Sequence, residues 1–124
     1  MTEVLRGIVV GHGGVAQALV AAAEEISGLR GALVAVSNSG LGREQLEQTV
    51  IDAVGDRPAV LFVDLPSGSC HFAAMRRLGQ RSDLRVVTGV NLVMLLEFLF
   101  HRDESPADVA RRVAEAGTRG ISER

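Results

Sequence analysis

Continuously apolar stretches interrupt this sequence, and they constrain its fold more than any other feature. Residues 5–10, 32–36 and 59–63 consist almost entirely of apolar residues, with no regular alternation of polar side chains. A β-strand of this kind is usually covered on both faces, as in a parallel sheet. We predict strands at these places and a further strand over residues 84–88.

Helical patterns fill the gaps between the predicted strands. Helices are predicted from residue 15 to a stop at Gly28, over residues 43–54, from about 70 to 79, from 92 to about 101, and from Pro106 to Gly117 or Gly120. Asn91 and Ser105 are the expected N-caps of the last two helices. The apolar side chains that we expect these helices to bury recur at helical spacing. They are Val15, Leu19, Ala22, Ala23 and Ile26, then Leu46, Val50 and Val54, then Phe72, Met75 and Leu78, and finally Val109, Val113 and Ala116.

The alternation of strands and helices indicates an α/β fold. Right-handed crossovers would give a doubly wound, mainly parallel four-stranded sheet with helices on both faces. The 124 residues suit one domain, residues 1–124, and the 47% of hydrophobic residues is enough for a substantial core. We find no repeat, linker or low-complexity segment.

Composition argues against several classes of function. The formal net charge is -2, no basic block occurs, and four Phe with no Trp or Tyr offer little to stack on bases, so we expect no nucleic-acid partner. A single cysteine cannot form an internal disulfide, which fits a reducing compartment. The first residues lack a signal-type stretch, and the most apolar segment, residues 92–100, is short and contains Glu97. We therefore expect a cytoplasmic protein without direct membrane insertion.

Two polar residues stand where predicted strands end. His12 follows the first strand and Asp64 follows the third. In a doubly wound order 2-1-3-4 these strands are neighbours at the point where the winding reverses, so their carboxyl ends share the crevice in which such sheets bind ligands. Gly11, Gly13 and Gly14 leave the backbone around His12 open to a close ligand.

The loop Ser67-Gly68-Ser69 precedes a predicted helix N-terminus, where hydroxyl and backbone N–H groups favour an anion. The crevice would then combine an imidazole that can attack, a carboxylate that fixes its tautomer and a cradle for an anion. This combination suits transient phosphorylation of His12 with Asp64 as its partner, because phosphoryl transfer needs mainly positioning and charge stabilisation. We expect neither a cofactor nor a metal.

The same residues also have more ordinary interpretations. A histidine among glycines is often a turn residue, Asp64 could simply cap the next loop, and Ser and Gly are common in turns. Residues 11–16 fit the dinucleotide pattern G-x-G-x-x-A, but Ser37-Asn38 at the end of strand two lacks the acidic residue that holds a ribose hydroxyl. Cys70 begins a helix, where the pKa of a thiol can fall, and we interpret it as structural or as an incidental reactive thiol.

Three segments of the sequence follow a known pattern. Residues 7–13 form a strand that ends in His-Gly, residues 63–69 form an Asp-loop-Gly-Ser segment, and residues 88–97 contain Gly-Val-Asn followed by a hydrophobic run with Met-Leu. Together they resemble the enzyme IIA domains of the mannose family of the bacterial sugar phosphotransferase system. The sequence departs from that family's pattern at Ser67, Cys70, His71 and Val93.

The resemblance implies a role in phosphoryl transfer. His12 would be the phosphorylated histidine, Asp64 its orienting partner, and Ser69 part of the phosphate-binding loop. We expect Gly13, Ser67, Gly68 and Ser69 to bind the phosphate. The implied donor is the histidine-containing phosphocarrier protein, and the implied acceptor is an enzyme IIB component in sugar uptake. The resemblance also implies a homodimer with a 2-1-3-4 sheet, in which a C-terminal strand can be exchanged between subunits.

Two alternatives to a transport role are open at this point. The unusual loop over residues 66–71 is compatible with a diverged regulatory IIA module whose phosphorylation state signals to a partner protein. A strand-end Gly-His-Gly also resembles small tetrapyrrole metal chelatases, which need a second histidine at a later strand end. Neither His71 nor His101 is predicted at such a place.

Overall fold

The computed structural model describes residues 4–124, in which strands and helices alternate. The strands are β1 (Arg6–Gly11), β2 (Leu33–Ser37), β3 (Ala59–Val63) and β4 (Leu84–Thr88). The helices are α1 (Val15–Ser27), α2 (Arg43–Val54), α3 (Gly68–Leu78), α4 (Leu92–Leu99) and α5 (Pro106–Arg119).

The four strands form a parallel sheet in the order β2-β1-β3-β4. This order confirms the predicted doubly wound topology. The register pairs Val10 of β1 with Val63 of β3, and Gly11 of β1 with Ser37 of β2. The residues that follow these three strands therefore emerge side by side at one edge of the sheet.

Helices cover both faces of the sheet, which explains the apolar strands. One core packs α1, α4 and α5 against one face, and a second core packs α2 and α3 against the other. Every residue of β3 is buried, and Phe62 makes an edge-to-face contact with Phe98 of α4, with ring centroids 5.3 Å apart. A strand enclosed in this way has no solvent-facing side on which polar residues would be useful.

The structure corrects the predicted buried faces of two helices. In α1, the prediction is confirmed for Ala23, which is buried, and Leu19 packs against the core, but Val15 and Ile26 are 43% and 62% exposed and Ala16 and Val20 are buried instead. This helix is apolar on several sides, so the periodicity alone did not determine which side packs.

The predicted buried side of helix α3 is also wrong. Phe72 and Met75 are 40% and 42% exposed, and the small side chains of Cys70, Ala73 and Ala74 are buried instead. Small residues let the helix lie close to the sheet, whereas the prediction favoured the largest apolar side chains. The helix also begins at Gly68 rather than near residue 70, and α4 ends at Leu99 rather than near residue 101.

Other local predictions are confirmed. The Asn91 side chain accepts a hydrogen bond from the Met94 N–H at 3.0 Å, and Ser105 accepts one from the Asp108 N–H at 3.2 Å. The predicted faces of α2 and α5 are buried, with Leu46, Val50, Val54, Val109, Val113 and Ala116 in the core. Within residues 4–124, every helix is too short or too polar to cross a bilayer.

We predict that Gly7→Ala destabilises the protein. A Cβ at Gly7 would lie 2.7 Å from Leu33 Cδ2 and 2.8 Å from Phe98 Cε2, in a strand that cannot move away from either neighbour. Overpacking of this kind lowers the free energy of unfolding by about 1–3 kcal/mol, which urea denaturation measures. Gly14→Ala is the control, because its Cβ would meet no atom within 4 Å and its φ is -94°. Equal stability of the two variants would contradict the packing described here.

Candidate functional site

His12 and Asp64 meet at the carboxyl edge of the sheet. His12 directly follows β1, Asp64 directly follows β3, and these strands are adjacent. His12 Nδ1 lies 2.8 Å from Asp64 Oδ2, and the backbone N–H of His12 donates to the same oxygen at 2.8 Å. The second carboxylate oxygen accepts from the Leu65 N–H at 2.9 Å. The carboxylate is thus fixed from both sides.

The hydrogen bonds to Asp64 determine its charge and the tautomer of His12. Partial burial raises the pKa of Asp64, but the backbone N–H and imidazole of His12, with the Leu65 N–H, lower it more, so the pKa lies below the usual 3.8. An ionised carboxylate only accepts hydrogen bonds, so the neutral imidazole carries its proton on Nδ1. The other ring nitrogen, Nε2, therefore keeps a free lone pair.

The free nitrogen of His12 faces the beginning of α3. A Cβ at Gly68 would lie 3.9 Å from His12 Nε2, so the first turn of the helix is directly beside the ring. Gly68 has a φ of +91°, a conformation that favours glycine, and exposed Ser67 and Ser69 lie on either side of it. The N–H groups of this helix start give the region beside Nε2 a positive potential.

Residues at the end of β2 hold the loop that carries His12. The Ser37 hydroxyl donates to the Gly13 carbonyl at 2.7 Å, and the Asn38 side chain accepts from the Gly13 N–H at 3.2 Å. Gly13 itself has a φ of +56°. Sequence reasoning missed this role of Ser37 and Asn38. The available signal was that two polar residues end the strand next to β1, and we used it only to argue against a dinucleotide site.

Cys70 lies against the pair and is fully buried. Burial and the charge of Asp64 raise the pKa of its thiol, while a hydrogen bond with Ser69 opposes this effect in part. The lowered thiol pKa that a helix N-terminus can produce is therefore not found. One donor atom each from His12, Asp64 and Cys70 lie within 4.8 Å of one another.

The other two histidines of the sequence stand apart from this group. His71 belongs to α3, and His101 follows α4 with its Nδ1 2.9 Å from the Glu97 carbonyl oxygen. Neither is at a strand end or in the His12 cluster, in the part of the chain that the structure describes. A chelatase site with two strand-end histidines thus has no second histidine here.

A cleft of about 330 Å³ opens beside the site between the first turns of α2 and α3. Arg43 lies over the Phe72 ring at 4.8 Å from its centroid, and Gly68 and Ser69 line the end of the cleft nearest His12. Phe72, which lines this cleft, is 40% exposed, and Leu65, next to Asp64 in the chain, is 51% exposed. His12 itself is 40% exposed. The histidine is therefore accessible and borders an apolar surface.

Comparison with solved structures shows the same fold in phosphotransferase-system components. A component EIIA from Streptococcus agalactiae superposes with a TM-score of 0.89 at 22% identity, covering 96% of each chain. A mannose/sorbose-specific IIA subunit from Enterococcus faecalis has a TM-score of 0.85 at 23% identity, covering 98% of this chain and 96% of that one. A sigma-54 interaction domain protein from Enterococcus faecalis has a TM-score of 0.81 at 14% identity, covering 97% and 95%.

Sequence comparison identifies the family. No curated protein matches the chain significantly. A family model described as the PTS system fructose IIA component matches residues 7–114. Because this match spans most of the chain, the protein belongs to the family of fructose- and mannose-type IIA components of the phosphotransferase system.

Proposed function

We propose that this phosphotransfer component carries its phosphoryl group on His12 Nε2. The observation that supports the proposal is the orientation of the imidazole. Its Nδ1 is 2.8 Å from Asp64 Oδ2, and its Nε2 faces the first turn of α3. The histidine thus presents its lone pair to the place where helix N–H groups favour an anion.

The chemistry needs a phosphoryl group to move between two nitrogen atoms. We propose that the Nε2 lone pair of His12 attacks the phosphorus of a phosphohistidine on the histidine-containing phosphocarrier protein. The N–P bond of the donor breaks as the N–P bond to Nε2 forms, and the donor imidazole keeps the electron pair. Ionised Asp64 accepts a hydrogen bond from the Nδ1–H of His12 and so stabilises the positive charge that develops on the ring. In the second step a nucleophilic side chain of an enzyme IIB component attacks the same phosphorus, the N–P bond to Nε2 breaks, and the His12 imidazole keeps the electron pair.

The proposed phosphate-binding residues surround the free nitrogen of His12. Backbone N–H groups at Gly68 and Ser69 would hold the phosphoryl oxygens at the start of α3, with the Ser67 and Ser69 hydroxyls beside them. Gly13 has open space where a Cβ would stand, so a phosphoryl group can approach the ring from that side. Its own N–H is already bonded to Asn38 at 3.2 Å. We assign Gly13 a role in access more than in donating hydrogen bonds.

Protein partners need a surface on which to dock, and exposed apolar residues of α3 and of the loop before it can provide it. Leu65, Phe72 and Met75 are 51%, 40% and 42% exposed, although apolar side chains of this size are usually buried. We propose that this surface contacts the phosphocarrier protein and the IIB component in turn. We also propose that the chain is one IIA domain and forms a homodimer, as the family resemblance implies.

A regulatory role is the second candidate. The fold also occurs in a sigma-54 interaction domain protein, so it is not restricted to sugar uptake. The fate of the phosphoryl group distinguishes the transport role from the regulatory role. Transfer of ³²P from the phosphorylated chain to a IIB protein encoded beside it supports transport. A stable phosphoprotein that instead changes its affinity for a transcription factor or kinase supports regulation.

We predict that His12→Ala abolishes phosphorylation. The chain is incubated with phosphoenolpyruvate, enzyme I and the phosphocarrier protein, and intact-mass spectrometry should show one phosphoryl adduct that maps to His12. The adduct should be absent from the variant because it lacks the proposed nucleophile. His101→Ala, which removes a histidine remote from the site, is the matched control and should be phosphorylated normally. An adduct that persists in His12→Ala would exclude His12 as the acceptor.

Asp64→Asn should slow phosphorylation by roughly a hundredfold or more, since an amide can donate to Nδ1 and favour the tautomer whose proton is on Nε2. The rate is measured by quenching the phosphorylation reaction at set times, with exposed Asp52→Asn as the control. Phosphorylation at the wild-type rate would contradict an orienting role for Asp64.

The difference in free energy of unfolding between wild type and Asp64→Asn should also depend on pH. The folded pKa of Asp64 is lowered, so its stabilising effect is present above about pH 4 and is lost as the pH falls through the folded pKa.

Gly68→Ala should also impair phosphorylation. The new Cβ would lie 3.9 Å from His12 Nε2, in the space that the phosphoryl group would take, and the φ of +91° would be strained. Gly79→Ala at the opposite end of α3 is the control, because Gly79 has an ordinary φ of -66° and its Cβ would come no closer than 3.7 Å to its neighbours. Comparing initial rates of adduct formation in the two folded variants tests the placement. Equal rates would show that the group binds elsewhere.

A further inference from the structure

The site contains a third potential metal ligand that phosphoryl transfer does not use. Cys70 is the third residue of α3, and its buried thiol lies beside the His12–Asp64 pair. One donor atom from each of these three side chains lies within 4.8 Å of the other two. An imidazole nitrogen, a carboxylate oxygen and a sulfur atom thus converge beside the proposed phosphoryl acceptor.

This donor set matches the ligand preference of Zn²⁺. Zinc binds Cys sulfur, His nitrogen and carboxylate oxygen in a tetrahedron, and its ligand atoms are then about 3.3–3.8 Å apart. The present separations, up to 4.8 Å, require the farthest atoms to approach by about 1 Å, and the 2.8 Å hydrogen-bonded pair of His12 and Asp64 must open by less. Rotation of the three side chains can supply movements of this size.

We propose that His12, Asp64 and Cys70 bind one Zn²⁺ ion and that the ion blocks the phosphoryl acceptor. His12 binds the ion through Nδ1, whose proton passes to solvent while Nε2 takes up a proton, so Nε2 no longer offers a lone pair to phosphorus. Binding also releases the Cys70 thiol proton to solvent, so the thiolate and the Asp64 carboxylate together neutralise the two positive charges of the ion. A water molecule can complete the tetrahedron, because the His12 side chain is 40% exposed. The blocking effect rests on the proposed function, whereas metal binding itself does not.

The donor set also discriminates among metals. Mg²⁺ and Ca²⁺ prefer oxygen ligands, and this cluster offers a nitrogen, a sulfur and a single carboxylate. We therefore expect no binding of Mg²⁺, which phosphorylation assays contain. The wild-type rate measured without zinc then reports the metal-free protein.

Cobalt provides a direct spectroscopic test, because thiolate coordinated to Co²⁺ gives a charge-transfer absorption band in the near ultraviolet. The sequence contains one cysteine, so any such band must come from Cys70. Titration of the purified chain with Co²⁺ should produce this band and saturate at one ion per chain. Addition of Zn²⁺ should remove it, and Mg²⁺ should neither produce nor remove it.

Two variants test the cysteine and histidine ligands, and a third is the control. Cys70→Ala should lose the band and bind Zn²⁺ at least about a hundredfold more weakly by calorimetry, since even outer-shell partners of a metal are worth about 10–100-fold in affinity. His12→Ala, which changes a half-exposed side chain, should weaken Zn²⁺ binding to a similar degree. It keeps the test valid if Cys70→Ala does not fold. His71→Ala removes the histidine next to Cys70 and should bind like wild type.

The outcomes separate metal binding from phosphorylation. Absence of the Co²⁺ band from the folded wild-type chain, or Zn²⁺ affinity that is unchanged in His12→Ala, overturns the metal site and leaves Cys70 as a core packing residue. If the band is present, the ratio of phosphorylation rates with and without Zn²⁺ should fall in wild type and stay near one in Cys70→Ala. Equal ratios in the two proteins overturn the blocking effect. If no phosphoryl adduct forms on His12 at all, the proposed function fails while the spectroscopic result stands.

Discussion

The adjacency of β1 and β3 is the constraint on which the rest of this structure depends. The two strands are parallel neighbours, so the residues that follow them are brought together although His12 and Asp64 are 52 positions apart in the sequence. The same pairing lets one carboxylate accept from both the main chain and the side chain of His12. These contacts join the loops after two strands into one unit, which both orients the imidazole and fixes its ionised partner.

Much of this arrangement can be predicted from the sequence, because it follows from strand order. Continuously apolar runs indicate buried parallel strands, and the polar residue after each run then lies at a known edge. The prediction failed for helices in which two different buried sides are compatible with the same apolar pattern. In α1 and α3 several faces are apolar, and the helix orientation depends on how closely small side chains such as Ala73 allow it to approach the sheet. Periodicity carries no information about that distance.

Two features of the site could not be predicted for a different reason. The support of Gly13 by Ser37 and Asn38 requires knowledge of loop conformations, which strand order does not determine. The proximity of Cys70 to Asp64 depends on how the loop after β3 leads into α3, which begins at Gly68, earlier than the sequence indicated. The apolar spacing within a helix does not define the path of the loop that precedes it.

The left-handed conformation of Gly68 has a consequence for how such a site can diverge. A pocket built from main-chain N–H groups is defined by the path of the backbone, so many different side chains are compatible with it, provided that the turn itself can form. For the anion site that we propose, substitutions around the turn would change the surface that partners contact while leaving the main-chain N–H groups in place. The fold as a whole is equally tolerant of sequence change, since it superposes on a solved structure with a TM-score of 0.89 although the two chains share 22% of their residues.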